Sequence, residues 1–452
     1  MHKSITTPIM QLSTRSSTAW IDGVRGFAAV IVVIGHVFYS QIGFRFQGFH
    51  THPININSSI LQLPPFHIII ASHAMVPLFF VISGYCLSLS FIRRRQNNPH
   101  DLSALLEIIS SAAFRRGIRL FVPVAVMAVV AQAVLYFGGY CWEWRDNPRA
   151  AALVKDSNSN PIQTPLIHHI FFLSDYFSSV VAAIIYGFKA PPASGLNPAL
   201  WTIPAEFRGS FLVYICLIGL ARVREAPRLW ILAFIAVLLL GEGTWDLFTF
   251  IGGLLIAELQ QKLSPEHNTT EKIAASSSAD CHSNTEMNRK YSVKLMMLSF
   301  LTLGLYLLCM PDADGAREYG PVYAILQPLT PEKWRKSWAV TENWRSIGAV
   351  GFTTALCFEP SFQRPFNSRA GQYFGKISFT LYLVHQLIAR VFLLRLGKLS
   401  WLLGGTRGHT FLLYPLIVLM VLFSFWTSSL LVRFLDRWPV SLAKRVERCL
   451  LR

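Results

Sequence analysis

Charge is scarce in this chain of 452 residues: only 14% are Asp, Glu, Lys or Arg, against 52% hydrophobic and 13% aromatic. With a mean hydropathy of +0.41, one soluble core could not bury so much apolar surface, and the composition is that of a polytopic membrane protein. Acidic residues are the scarcer sign, 24 against 41 Lys and Arg, for a formal charge of +17. Such an excess can signal nucleic-acid binding, but the sequence lacks a basic block interleaved with aromatics. Its Lys and Arg sit in short segments beside apolar runs, as they do where they orient helices in a bilayer, so the lipid bilayer is an expected partner and nucleic acid is not. The seven cysteines are scattered without CxxC or Cys/His ligand spacing, so neither a disulfide framework nor a metal site is expected. Residues 1–18 lack an apolar signal core, and the first span is expected to act as an uncleaved anchor.

Apolar runs near the length of a span lie at about 24–41, 70–92, 118–138, 207–221, 228–241, 246–261, 293–310, 346–359, 377–396 and 411–434, judged against the roughly 20 residues a crossing needs. The expected fold is therefore all-α and polytopic, with about ten transmembrane helices. An eleventh candidate, 166–188, carries His168, His169 and Asp175. If it crossed, the cluster Arg222, Arg224, Arg228 and every later basic cluster would leave the cytoplasmic side, so it is expected to be re-entrant or interfacial. This topology places a tail 1–20, a disordered loop 262–292 and a basic tail 435–452 in the cytoplasm, around a membrane domain spanning 21–434. It puts the sequon at Asn57 in the lumen and that at Asn268 in the cytoplasm. The compartment is expected to be an endomembrane (ER or Golgi) or the plasma membrane.

Ionisable groups at membrane depth cost a few kcal/mol or more and usually mark function. In the first span, "IDGVRGFAAVIVVIGH", Asp22, Arg25 and His36 fall within about a 60° sector at 100° per residue. The rise per residue sets Arg25 and His36 roughly 16 Å apart in height. The plainer alternative is an interfacial Asp22–Arg25 pair and a His36 that bonds a neighbouring helix. Ser83–Gly84–Tyr85 in the second span allows close helix packing, and Ser83 can also donate into a cavity. Arg116 and Arg119, with Arg115 beside them, follow from topology alone, yet they also suit a phosphate clamp because guanidinium forks bind phosphate bidentately. Glu206, in "LWTIPAEF" after Trp201, needs a partner, which could be an intramembrane histidine or arginine, or simply Arg208. Ser378, Tyr382 and His385 line one helical face as interhelical glue or cavity wall.

Together these segments resemble the integral membrane acyltransferase family 3. "IDGVRGFAAVIVVIGH" is similar to its arginine, ten residues, histidine motif through Arg25 and His36. "PLFFVISGYCLS" resembles its Ser-Gly-aromatic motif, Arg116-Gly-Ile-Arg119 its Arg-x-x-Arg motif, "LWTIPAEF" its Trp-to-Glu segment and "ISFTLYLVHQ" its late Ser/Tyr/His helix. The resemblance implies O-acylation: transfer of an acyl group, commonly acetyl from acetyl-coenzyme A, to a hydroxyl. Many bacterial members carry two acidic residues in the Trp-to-Glu segment. Here there is one, Glu206, which is closer to fungal members.

That resemblance and the charge pattern set the expectations for the site. No permanently bound cofactor is expected; acetyl-CoA or another acyl-CoA is the co-substrate, its phosphates held by Arg25, Arg116 and Arg119. His36 serves as general base or as a nucleophile forming an acyl-imidazole, Glu206 orients it, and Ser83 or Tyr382 stabilises the oxyanion. Asp22, Tyr85, Trp201, Ser378 and His385 are expected in substrate-contacting or structural roles. The acceptor is a hydroxylated metabolite, lipid or glycan, with Trp142, Trp144 and Trp201 able to stack on sugars. A competing class is a proton-coupled transporter of a hydroxylated or acylated compound, since intramembrane His and Glu also build proton relays. Against it, the halves show no internal repeat and no paired discontinuous helices.

Overall fold

A computed structural model of the chain describes residues 18–39, 48–52, 54–55, 57–98, 101–139, 166–187, 197–263, 283–311, 319–335 and 340–450. Trp142, Trp144, Asn268 and residues 1–17 of the expected N-terminal tail 1–20 lie outside the described residues. Among the described residues all regular structure is helical. The long helices are α1 (Ala19–Tyr39), α2 (Met75–Asn97), α3 (Leu102–Tyr136), α4 (Leu166–Tyr186), α5 (Thr202–Gly219), α6 (Glu225–Gly241), α7 (Trp245–Leu263), α8 (Ser283–Leu308), α9 (Val340–Phe358), α10 (Arg369–Gly405), α11 (411–432) and α12 (Trp438–Leu450). Gly405 divides α10 from α11 with φ 56 and ψ −160, a backbone conformation essentially closed to residues with a Cβ. At the start of α3, Asp101 accepts the Ala104 N–H at 3.0 Å and the Ser103 hydroxyl at 2.8 Å. Those bonds, the backbone one first, hold its carboxyl below the usual carboxylate range.

By length and composition eight helical segments can cross a bilayer: α1 to α5, the end of α8, α10, and α11 with its continuation. The protein is a multi-pass, all-α membrane protein. The other three expected spans are α6, α7 and α9. At 17 residues, α6 reaches roughly 25 Å at 1.5 Å per residue, short of the bilayer core. Charges dilute α7 and α9, and the bundle neutralises them internally. Glu258 on α7 receives Arg95 from α2 at 2.7 Å and Arg228 from α6 at 3.2 Å, and Asp246 on α7 is fully buried against Arg208. On α9, Arg345 bonds Glu342 at 2.6 Å and donates to the Met310 carbonyl. Hydropathy alone hides the α7 pairings because their cations lie on other helices, whereas Glu342 and Arg345 pair within α9 at a spacing of three.

Segment 166–188, expected to be re-entrant or interfacial, holds the unbroken helix α4. Its outer face exposes Ile170, Phe171, Val181 and Ile185, while His169 is buried beside Gln132 of α3. At its far end Gly187 lies against the Arg208 guanidinium. Helix α4 thus runs antiparallel to α3, and so does α5, whose Glu206 and Ser210 meet Arg116 and whose Phe207 packs on Phe121. By length and composition α4 is one of the eight segments able to cross a bilayer, and it runs in the same direction as α5.

Close backbone contact fixes the helix positions around the site. A Cβ at Gly84 would overlap the Phe250 carbonyl, and one at Gly253 the Val81 carbonyl, so α2 and α7 touch backbone to backbone. Gly26 and Gly375 do the same for α1 and α10. Hence the Ser83–Gly84 pair carries both roles considered from the sequence, with Gly84 packing and Ser83 turned toward a cavity.

Two local expectations change. Residues 283–292 of the expected loop 262–292 are helical, part of α8. Of the segment 435–452, expected as a basic tail, residues 435–450 belong to a π-turn (Arg433–Arg437) and the amphipathic α12. It docks on α3 through Arg115–Glu447 at 3.5 Å and Arg119–Asp436 at 3.9 Å. Asn57, whose sequon the expected topology places in the lumen, is 1% exposed. Its amide donates to the Thr51 carbonyl and accepts from Gln62, so no glycan fits there without opening the loop.

Candidate active site

Helices α1, α2, α3, α5 and α10 enclose a cavity of about 260 Å³. On α2 its wall runs from Val76 through Phe79, Phe80 and Ser83 to Cys86 and Leu87, one face of a helix over roughly 16 Å of rise. The Cys86 end is cationic. Arg25 of α1 and Arg119 of α3 line it, and both guanidiniums, with that of Arg116, lie close enough to feel one another. Arg25 also meets Asp22 at 3.6 Å, the interfacial pair considered above, and stays 30% exposed; Arg119 is 45% exposed. These two arginines keep unspent capacity for an anion.

Midway, Arg116 is already committed. Its Nη2 donates to Glu206 Oε1 at 2.7 Å and to Ser83 Oγ at 3.1 Å, and its Nε donates to Ser210 Oγ at 3.0 Å. The Ser83 hydroxyl in turn donates to Glu206 Oε1 at 3.0 Å. Helix geometry supports this knot, because Glu206 and Ser210 are four residues apart on α5 and Ser210 returns its hydrogen to the Glu206 carbonyl at 2.6 Å. The partner that Glu206 needed is Arg116. It is neither His36, as expected for orienting the histidine, nor Arg208, which is bound to Asp246.

The far end is closed by Tyr382 of α10. Its hydroxyl donates to the Ala199 carbonyl at 2.6 Å and lies 2.7 Å from Thr202 Oγ1. Both hydroxyls expected to stabilise an oxyanion, Ser83 and Tyr382, thus have their hydrogens engaged in this state. Ser378, also on the wall, donates to the Gly375 carbonyl at 2.8 Å. Beyond Tyr382 comes a ladder of rings. The Tyr382 and His385 rings are 5.9 Å apart, and His385 stacks on His36 at 5.4 Å with 28° between planes. His36 meets His73 edge-on at 6.3 Å. His385 Nδ1 bonds the Leu381 carbonyl at 3.1 Å, so Nδ1 carries the hydrogen and Nε2 holds the lone pair. His36 therefore sits two rings beyond Tyr382 of the cavity wall, with His385 between them, at the opposite end from Arg25 and Arg119.

Two of the expected residues stand apart. Tyr85 turns away from the cavity, donating to Gln260 and packing on Trp20 at 6.2 Å. Trp201 packs edge-on against Trp245 at 6.3 Å. Conversely, Phe79, Cys86 and Thr202 are wall residues the sequence reading passed over. A signal was present: Phe79 and Cys86 flank Ser83 at helical spacings of four and three, and Thr202 lies one turn before Glu206.

A sequence profile described as the acyltransferase domain matches residues 18–433, nearly the whole chain. The protein belongs to the integral membrane acyltransferase family 3. This acyltransferase is 28% identical over 449 residues to O-acetyltransferase PaAT-1 of Phomopsis amygdali, covering 96% of the chain and 86% of that protein. It is 24% identical to acyltransferase clz18 of Cochliobolus lunatus, over 82% and 83% of the two chains. Acyltransferase R4 of a Phoma species is 23% identical, over 86% of each. No solved structure matches the acyltransferase. Its relatives are fungal, as the single acidic residue of the Trp-to-Glu segment suggested, and its role is that of an O-acyltransferase.

Proposed function

We propose that this enzyme moves an acetyl group from acetyl-coenzyme A to a hydroxyl of a small metabolite or lipid-like acceptor, with the donor lying in the cavity. The observation that carries this reading is the cavity's polarity: Arg25 and Arg119 at one end, and past Tyr382 at the other the stacked His385 and His36. Anionic phosphates at the arginine end, which would face the cytoplasm together with both termini, let the flexible arm follow the α2 face so that the thioester arrives beneath the His385–His36 stack. The name of the PaAT-1 relative, an O-acetyltransferase, supports a short acyl chain.

In the transfer, the acceptor oxygen attacks the thioester carbon and a C–O bond forms. His36 either takes the hydroxyl proton and returns it to the leaving thiolate, or first carries the acyl group itself. The stacked His385, with its hydrogen fixed on Nδ1, holds the His36 ring in plane. Glu206, Arg116 and Ser83 form a neutralised polar wall that keeps α2, α3 and α5 at the spacing the arm requires. Opening the Tyr382–Ala199 bond would free a hydrogen for the oxyanion.

Arg25→Ala and Arg119→Ala are expected to raise KM for acetyl-coenzyme A by about tenfold each, from the loss of one charge-assisted phosphate contact of roughly 1.5 kcal/mol. KM for the acceptor should stay near its wild-type value. Steady-state kinetics on purified protein decide the matter, and equal changes in both constants would remove the phosphate-site assignment.

A further inference from the structure

Helix α12 continues α11 through the π-turn and keeps one face for the bundle, burying Leu435, Pro439 and Ala443. Its opposite side is solvent-exposed and basic. Arg433, Arg437, Lys444 and Arg448 are all exposed, and their spacings of four, seven and four place them in one stripe along the helix. Phe434 and Trp438, exposed at 63% and 49%, border that stripe. They extend the apolar outer face of α11, where Leu419, Leu422, Trp426 and Leu430 are exposed. The stripe therefore begins at Arg433, three residues after exposed Leu430, where the apolar outer face narrows to Phe434 and Trp438.

We propose that this stripe binds the headgroups of anionic glycerophospholipids, with Phe434 and Trp438 seated at the boundary between headgroups and acyl chains. The charge of these four exposed cations complements an anionic leaflet, where each such residue contributes favourably within a Debye length. The aromatic pair is the usual anchor at that depth. Continuity with a membrane-crossing helix holds the stripe at the surface, so no free-energy cost of delivery arises. Binding also reaches inward. On its buried side the same segment presents Asp436 to Arg119 and Glu447 to Arg115, so a headgroup-bound α12 is pinned against α3 beside the cationic end of the cavity.

The test reconstitutes the full chain in nanodiscs of phosphatidylcholine alone or mixed with phosphatidylserine. Wild type is expected to retain phosphatidylserine several-fold over its bulk share through detergent extraction and to unfold at a higher temperature in the mixed discs. Substituting Arg433→Gln, Arg437→Gln, Lys444→Gln and Arg448→Gln together should abolish both effects while leaving the unfolding temperature in phosphatidylcholine unchanged. If that variant does not fold, Lys444→Gln with Arg448→Gln, near the free end of the helix, should halve the enrichment. Arg222→Gln with Arg224→Gln, exposed cations between α5 and α6, should behave as wild type. The proposal is overturned if wild type shows no enrichment, if the 222/224 variant loses as much as the α12 variants, or if coenzyme A displaces the lipid from the stripe. None of these readouts uses catalysis, so their failure is separate from a failure of the donor assignment.

Discussion

His36→Ala is expected to lower acyl transfer by about 10²–10⁴-fold, the contribution of a positioned acid–base group, or to abolish it if the histidine itself carries the acyl group. The protein should remain folded. His36 is partly exposed rather than a core filler, and the helix contact that positions α1 runs through glycines, Gly26 against Gly375, which the substitution does not touch. Donor KM should move little, because Arg25 and Arg119 stand at the opposite end of the cavity. Membranes carrying the variant, incubated with radiolabelled acetyl-coenzyme A and candidate acceptors, provide the assay. Normal product formation would end the assignment.

Glu206→Ala has the second large effect, and it falls on stability. Among the described residues the Glu206 carboxylate is the one anion bonded to Arg116, whose side chain is only 10% exposed. Removing one member of such a pair leaves an uncompensated charge, at about 3–5 kcal/mol when fully buried. With Glu206 24% exposed, the lower end of that range applies, roughly 3 kcal/mol. Replacing both residues, Glu206→Leu with Arg116→Met, removes the charge from either side and should recover most of the loss. Thermal unfolding in detergent micelles checks both variants. A catalytic carboxylate acting directly on His36 would instead leave stability intact in Glu206→Ala while destroying turnover.

These expectations show what could be read before the structure and what could not. Arg25 and His36 share a helix, so their common face and their separation follow from α-helical geometry alone. The face formed by Phe79, Ser83 and Cys86 was legible in the same way, though only Ser83 drew notice because it is polar. Partners across helices were not legible. Glu206 has Arg208 two residues away and Arg116 ninety residues away in sequence, yet it bonds the distant one, since residues two apart point to different sides of a helix. Asp246 and Glu258 sit in an apolar run for the same reason: their cations come from α5, α2 and α6. In segment 166–188 the charge pattern along the chain favours a re-entrant or interfacial segment, whereas the burial of His169 against Gln132 of α3, which leaves an apolar outer face on α4, is another pairing across helices.

The central claim is that the donor occupies the cavity, and Cys86 offers the most direct measurement of it. Its thiol lies on the cavity wall and is exposed, among Arg25, Arg116 and Arg119, while Cys449 is an exposed thiol on α12 and serves as an internal reference. Maleimide labelling of the purified protein, read peptide by peptide by mass spectrometry, is expected to slow several-fold at Cys86 when coenzyme A is present and to remain unchanged at Cys449. Labelling of Cys86 that is indifferent to saturating coenzyme A would contradict a donor lying between the arginines and the histidine stack.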